Sequence, residues 1–178
     1  MKRRVVVTGL GVVTSLGRSV PAFWERIVRG ESGVGPITLF DVSGFRVQFA
    51  GEVPWNPEEA NIANPKELRR LDRFTQFAMA AAADAVSDSG LDFSAEDPFR
   101  SGVVIGSGIG GLAEFEAQHE RLLTKGIDKV SPFTIPKLMV NSGSGHVSAM
   151  YGIKGPNFAV ATACASAANS IGDALRAI

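Results

Sequence analysis

The chain has 178 residues, 45% of them hydrophobic, with 18 basic and 18 acidic side chains for a formal net charge of zero. That composition excludes a disordered chain, the length suffices for one domain with its own core, and the charge balance gives no global pointer to nucleic acid. A single cysteine excludes a disulfide framework and suits a reducing cytoplasm, and no apolar run is long enough to cross a membrane as a helix.

The start, Met1-Lys2-Arg3-Arg4 followed by Val5-Val6-Val7, has the basic end of a signal peptide. Gly9, Gly11 and Thr14 cut its apolar part and no small-x-small cleavage site follows. Residues 5–8 are therefore expected to form a buried first strand, and Gly9-Leu10-Gly11 a tight turn after it. Ser19 predicts the cap of a first helix with Pro21 in its opening turn, Phe23, Trp24, Ile27 and Val28 on its apolar face, and Gly30 at its end. Residues 31–65, rich in Gly, Pro and Asn, are expected to wrap the surface with short β pieces such as 47–50.

Asn64 and Pro65 open a periodic stretch that predicts one long helix to Ser89, stopped by Gly90. Leu68, Leu71, Thr75, Ala78, Met79, Ala82, Ala85 and Val86 mark its inward stripe, and the small residues of 78–85 predict close packing against another element. Lys66, Arg69, Arg70 and Arg73 cluster in its first half, opposed only by Glu67 and Asp72. Such a cluster is either a solvated face or a docking surface for an acidic partner.

Residues 92–99 form an acidic loop and 102–105 a second buried strand. Gly106-Ser107-Gly108-Ile109-Gly110-Gly111 then matches the Gly-x-Gly-x-x-Gly dinucleotide pattern. It lies outside the first βα unit, and Ser131-Pro132-Phe133 breaks the βαβ rhythm that the pattern requires. The alternative is that these glycines let backbone pass close to other elements. Leu112, Phe115, His119, Leu122 and Leu123 mark a third helix, and 135–151 a fourth with Pro136 in its first turn and Gly152 at its end. The small residues of 141–146 place that fourth helix tightly against its neighbours. Neither His119 nor His146 falls in a Cys/His metal spacing; each is a packed or solvated histidine, or a base for a nucleophile.

The unpolar run 158–163 reads as a strand buried on both faces, after which Ala167, Ile171, Ala174, Leu175 and Ile178 fall on one helical face, with Ser170, Asp173 and Arg176 opposite. Cys164, the only cysteine, thus sits where a strand turns into a helix, between the small residues Ala163 and Ala165. A helix N-terminus favours a thiolate and offers N–H donors to an oxyanion. Cys164 is therefore a candidate nucleophile, or else an inert buried thiol. The helical pattern has no C-cap before Ile178, so the sequence reads as a piece of a longer chain.

Five stretches in this order, Val5-Val6-Val7-Thr8-Gly9-Leu10-Gly11, residues 106–111, Ser131-Pro132-Phe133, Gly155-Pro156 and Thr162-Ala163-Cys164-Ala165-Ser166, resemble the N-terminal half of a β-ketoacyl-acyl-carrier-protein synthase of the elongating, synthase II-like type. The resemblance covers residues 1–178. It implies an α/β, thiolase-like fold: half of a five-layered α-β-α-β-α architecture with a mostly parallel sheet, usually in a homodimer.

The resemblance further implies that Cys164 takes an acyl chain from acyl carrier protein as a thioester. Malonyl-carrier protein then loses carbon dioxide, and its carbanion attacks that thioester to give a chain two carbons longer. No cofactor or metal is implied. Ile109 corresponds to the gate of the acyl pocket, and the Cys164 N–H to half of an oxyanion hole. Lys66, Arg69 and Arg70 correspond to the patch that docks the carrier protein. Phe133 falls in the Ser-Pro-Phe motif, and Thr134 stands where synthase II often has a second aromatic lining the partner subunit's acyl pocket. The family's two catalytic histidines and its lysine lie in the C-terminal half, so neither His119 nor His146 takes their place. Two other readings remain: a non-catalytic partner like the chain-length factors of polyketide systems, against which Cys164 argues, and a nucleotide-binding domain on residues 106–111.

Overall fold

The computed structural model describes residues 3–58, 62 and 64–178. Met1 and Lys2 of the basic start lie outside them, as do four residues of the 31–65 wrap. The elements in order are α1 (Val20–Val28), β1 (Gly35–Pro36), β2 (Phe49–Ala50), α2 (Pro65–Leu68), α3 (Arg73–Ser89), β3 (Val103–Gly106), α4 (Leu112–Lys125), α5 (Thr134–Leu138), α6 (Ser142–Tyr151), β4 (Asn157–Val160) and α7 (Ser166–Ala177). The class is α/β, as expected. β3 and β4 pair in parallel, Val103 opposite Asn157 through Gly106 opposite Val160, while β1 and β2 form a short antiparallel ribbon.

Neighbouring residues of a strand point to opposite faces. Ile105 meets α6 at Gly143, and Gly106 meets α7 at Ser166, so the β3–β4 pair lies between these two helices. α3 packs on the far side of α6, and the core formed by Leu68, Leu71, Met79, Ala80, Val103, Val147 and Ile153 fills that side. The small residues of α6 serve this packing: Ser142, Gly143 and Ser144 are buried, and a Cβ on Gly143 would lie 3.3 Å from the Ala78 methyl. The Thr75 hydroxyl donates to Ser142 Oγ at 3.1 Å across the same interface.

Capping is where the sequence indicated it. Ser19 Oγ accepts from the Ala22 N–H at the start of α1, and Gly90 and Gly152 end α3 and α6 in the left-handed region at φ 67° and 66°. Several expectations need correction. Residues 5–8 are not a buried strand: they have no strand partner among the described residues, and Val6 and Val7 are exposed. What fixes this segment is its glycines, which ride directly on α3. A Cβ on Gly9 would fall 2.0 Å from the Ala85 carbonyl oxygen, and one on Gly11 1.9 Å from that of Ala81. This contact also accounts for the small residues on the second half of α3.

The expected helix 64–89 is two helices. Asn64 and Glu67 form a capping box on α2, and Asp72, in extended conformation, caps α3 by accepting from the Phe74 N–H. The Gln76 amide donates to the carbonyls of Leu68 and Leu71, satisfying backbone freed at the break. The expected helix 135–151 also divides, because Met139 is extended and the Leu138 carbonyl turns to accept from the Gly111 N–H.

Two amphipathic helices turn the opposite way from a simple core-facing reading. α4 buries Glu114 and Gln118 and exposes Leu112, Phe115, Leu122 and Leu123. α7 buries Ser166 and Ser170 against the sheet and exposes Ile171 and Leu175, and Ile178 just past its end is exposed too. β4 is likewise not buried on both faces, since Phe158 is 39% exposed.

Candidate functional site

The site is built around the end of β4. After Val160, whose carbonyl accepts from the Ser107 N–H at 3.1 Å, the chain leaves the sheet through Thr162 and enters Ala163 at φ 50°. Ala163 is the only non-glycine residue with positive φ among those described. A left-handed L-residue costs roughly 1–2 kcal/mol, and such strain gathers at functional turns. A single 3₁₀ turn, Ala163–Ala165, carries Cys164 at its centre, and α7 begins directly after it. Cys164 is exposed, so the reading of an inert buried thiol does not hold.

Ser166 holds this elbow in shape. Its hydroxyl accepts from the Thr162 N–H at 2.9 Å and donates to the Ala163 carbonyl at 2.7 Å, while Asn169 Nδ2 donates to Thr162 Oγ1 at 2.7 Å. Neither Ser166 nor Asn169 was marked by the sequence reading. A serine just inside a helix start was the available signal.

The glycine loop, residues 106–111, lies against the elbow. A Cβ on Gly106 would fall 2.4 Å from the Ser166 backbone, and one on Gly108 3.6 Å from Ala163 Cα. Further along, Gly110 at φ 79° would bring a Cβ 2.3 Å from the Leu138 oxygen, and Gly111 would bring one 2.6 Å from the Lys137 oxygen. Gly106, Gly110 and Gly111 therefore serve close backbone packing on both sides of the loop. Ile109, between them, is 66% exposed at the free side of the loop.

Phe133 and Thr134 open α5, the element that the glycines touch. The Thr134 hydroxyl donates to the Ser131 carbonyl at 2.7 Å, and the Phe133 ring is 41% exposed under the Arg70 guanidinium. Lys66, Arg69 and Arg70 are exposed along and just past α2, and none forms an ion pair among the described residues. The Glu67 carboxylate between them accepts from the Asn64 N–H and amide. Arg73 leaves this cluster: it donates to the Val53 carbonyl and stacks over Phe77. Elbow, glycine loop, α5 and basic patch thus form one continuous line of contacts.

The two histidines stand apart from Cys164. His119 stacks on Phe115 at the surface of α4. His146 lines a cleft of about 380 Å³ with Glu67, Arg70, Leu71 and Met79, which Cys164 does not line. Burial holds the His146 imidazolium below its ordinary pKa, and the Glu67 carboxylate offsets part of that. Among the described residues no cluster of His, Cys, Asp or Glu is placed to hold a metal ion, and no helix is long and apolar enough to cross a membrane.

The family model described as Beta-ketoacyl synthase, N-terminal domain, matches residues 2–178. Similar curated proteins include the 3-oxoacyl-[acyl-carrier-protein] synthase 2 of Coxiella burnetii, 48% identical over 99% of this chain and 42% of that protein. The protein of the same name from Staphylococcus aureus strain COL is 44% identical over 99% of this chain and 42% of its own. The chain therefore spans less than half the length of these relatives. Among solved structures, the ishigamide ketosynthase/chain length factor superposes with a TM-score of 0.77 at 29% identity, over 91% of this chain and 40% of that one. The fold is the thiolase-like α/β arrangement.

Proposed function

This chain belongs to the β-ketoacyl synthase family, to its N-terminal domain, and on that premise we propose that the full-length protein is an acyltransferase that lengthens acyl chains in fatty acid biosynthesis. The Cys164 thiolate attacks the carbonyl of an acyl thioester on acyl carrier protein. The carrier's thiolate leaves and takes up a proton, and the acyl chain stays on Cys164. Malonyl-carrier protein then loses carbon dioxide. The electron pair of the broken carbon–carbon bond attacks the Cys164 thioester, forming a new carbon–carbon bond and releasing the cysteine. The Cys164 N–H at the centre of the turn serves as half of the oxyanion hole.

The observation that carries this reading is the exposed Cys164 on a strained 3₁₀ turn at the head of a twelve-residue helix. A chain-length-factor role has no use for that thiol. Ile109 gates the acyl pocket, the Phe133–Thr134 segment borders that of the partner subunit in a homodimer, and Lys66, Arg69 and Arg70 receive the acidic carrier. Apolar faces left open on α4 and α7 support a homodimer and contact with further protein. The lone cysteine supports a cytoplasmic setting.

The test is to supply the full-length protein with acyl- and malonyl-carrier protein. A β-ketoacyl product two carbons longer, with one carbon dioxide per product, is expected. Acyl transfer with no carbon–carbon bond formed, or a thermal shift with dinucleotides instead, would overturn it.

A further inference from the structure

The hydrogen bonds of the Ala163–Ala165 turn converge on one peptide group. The Ala163 carbonyl accepts twice, from the Ser166 N–H and, at 2.7 Å, from the Ser166 hydroxyl. The same hydroxyl accepts from the Thr162 N–H at 2.9 Å, so its proton and a lone pair are both committed across the left-handed Ala163. Ser166 is buried, its backbone is seated on Gly106 of β3, and its carbonyl accepts from the Ser170 hydroxyl at 2.9 Å. The clamp on the turn is thus anchored on the sheet.

The Ala163 carbonyl and the Cys164 N–H belong to one planar peptide unit, which is trans. In such a unit the N–H points opposite to the C=O. Two donors from Ser166 hold the carbonyl toward the helix, so the Cys164 N–H is aimed away from it. The other bond of the turn, from the Ala165 N–H to the Thr162 carbonyl at 3.1 Å, does not involve that N–H. An oxyanion donor is worth most when its direction is set before the charge develops.

We propose that the Ser166 hydroxyl aims the Cys164 N–H at the oxyanion that forms during acyl transfer. Ser166 is a positioning residue: it acts through the peptide between Ala163 and Cys164 and touches no substrate. The Cys164 thiolate adds to the thioester carbonyl, whose electron pair moves onto the oxygen that the N–H faces. That pair returns as the carbon–sulfur bond to the leaving thiolate breaks. Ser166 neither gains nor loses a proton in either step. The inference rests on the reading of Cys164 as the acyl-accepting nucleophile given above.

The experiment compares two reactions of the same sulfur in the full-length enzyme. Acyl transfer from a small acyl thioester passes through an oxyanion; alkylation by iodoacetamide displaces iodide from a saturated carbon and forms none. The ratio of the two rates therefore separates the aim of the N–H from the exposure of the thiol. Ser166→Ala is expected to lower the ratio of acyl transfer to alkylation by about tenfold or more, the loss of a whole oxyanion donor being worth roughly 10²–10³. Ser166→Thr, which keeps a hydroxyl, is expected to keep the ratio. Ser170→Ala removes another buried hydroxyl of the same helix, one that bonds neither Thr162 nor Ala163; it is expected to lower Tm and keep the ratio. A ratio unmoved in Ser166→Ala, or lowered as far in Ser170→Ala or Ser166→Thr, overturns this inference alone, provided that the unaltered enzyme takes the acyl group on Cys164. If the unaltered enzyme takes no acyl group there, the nucleophile reading itself fails and takes the inference with it.

Discussion

The Arg70 guanidinium lies over the ring of Phe133, 4.8 Å from its centroid. One contact thus joins the basic patch after α2 to the segment that opens α5. A carrier protein docked on Lys66, Arg69 and Arg70, as proposed, would rest beside the Phe133 ring. The stacking is worth about 0.5–1 kcal/mol at an exposed site.

Reversal of Arg69 and Arg70 to Glu is expected to raise the carrier-protein KM at least about tenfold while leaving reaction with a small acyl thioester unchanged. Added salt is expected to weaken carrier binding to the unaltered enzyme, because exposed charges are screened over about 10 Å at 0.1 M. Equal losses on both substrates would indicate damage to the fold.

Ile109 is exposed on a loop whose flanking Gly110 packs tightly on the Leu138 carbonyl. Ile109→Phe is therefore expected to reduce turnover of long acyl chains more than short ones. A uniform loss across chain lengths would contradict a gating role.

Gly106→Ala is expected to destabilise the protein by about 1–3 kcal/mol, since the new methyl group would meet the Ser166 backbone at 2.4 Å. Because Ser166 holds the elbow, Cys164 reactivity is expected to fall with it. Denaturant unfolding, together with the rate of thiol alkylation, measures both effects; unchanged values would place the loop farther from the elbow.

His146 titrates below its ordinary value of 6.5 because it is partly buried. The unfolded chain then binds the proton more tightly, so stability is fully present above about pH 6.5 and falls as pH drops through the folded-state value. The groups facing it in its cleft are Glu67 and Arg70. His146→Gln is expected to flatten the pH dependence of Tm between about pH 7 and 5. An unchanged slope would assign the acid sensitivity elsewhere.

Much of the site was legible in the sequence. The change of period at Cys164 located the elbow, and Ser19, Gly90 and Gly152 marked helix ends that the structure keeps. Asp72 was a legible N-cap that the unbroken stripe from Leu68 to Thr75 concealed, since a one-turn break barely disturbs the period. Periodicity also says which residues share a face but not what that face meets. Ile171 and Leu175 share a stripe, yet the sheet takes Ser166 and Ser170. The ion pair between Glu114 and Lys137 spans two helices and leaves no local pattern at all.

Residues 1–178 by themselves are expected not to release carbon dioxide from malonyl-carrier protein. Decarboxylation puts negative charge on a thioester oxygen, and preorganised donors must stabilise it. Neither His119 nor His146 contacts Cys164 by a hydrogen bond among the described residues. The open face of α7, with Ile171 72% and Leu175 55% exposed, also favours aggregation of the segment alone. Carbon dioxide release by the purified segment would contradict this; activity regained when the remaining half is added as a separate chain would agree.

The central claim is that Cys164 is the nucleophile. Its most direct test is to treat the full-length enzyme with a thiol-reactive acyl mimic and map the adduct by mass spectrometry, beside the Cys164→Ala variant. One adduct, on Cys164, and loss of condensation in Cys164→Ala is the expected result. An adduct at any other residue, or full condensing activity in Cys164→Ala, would contradict it.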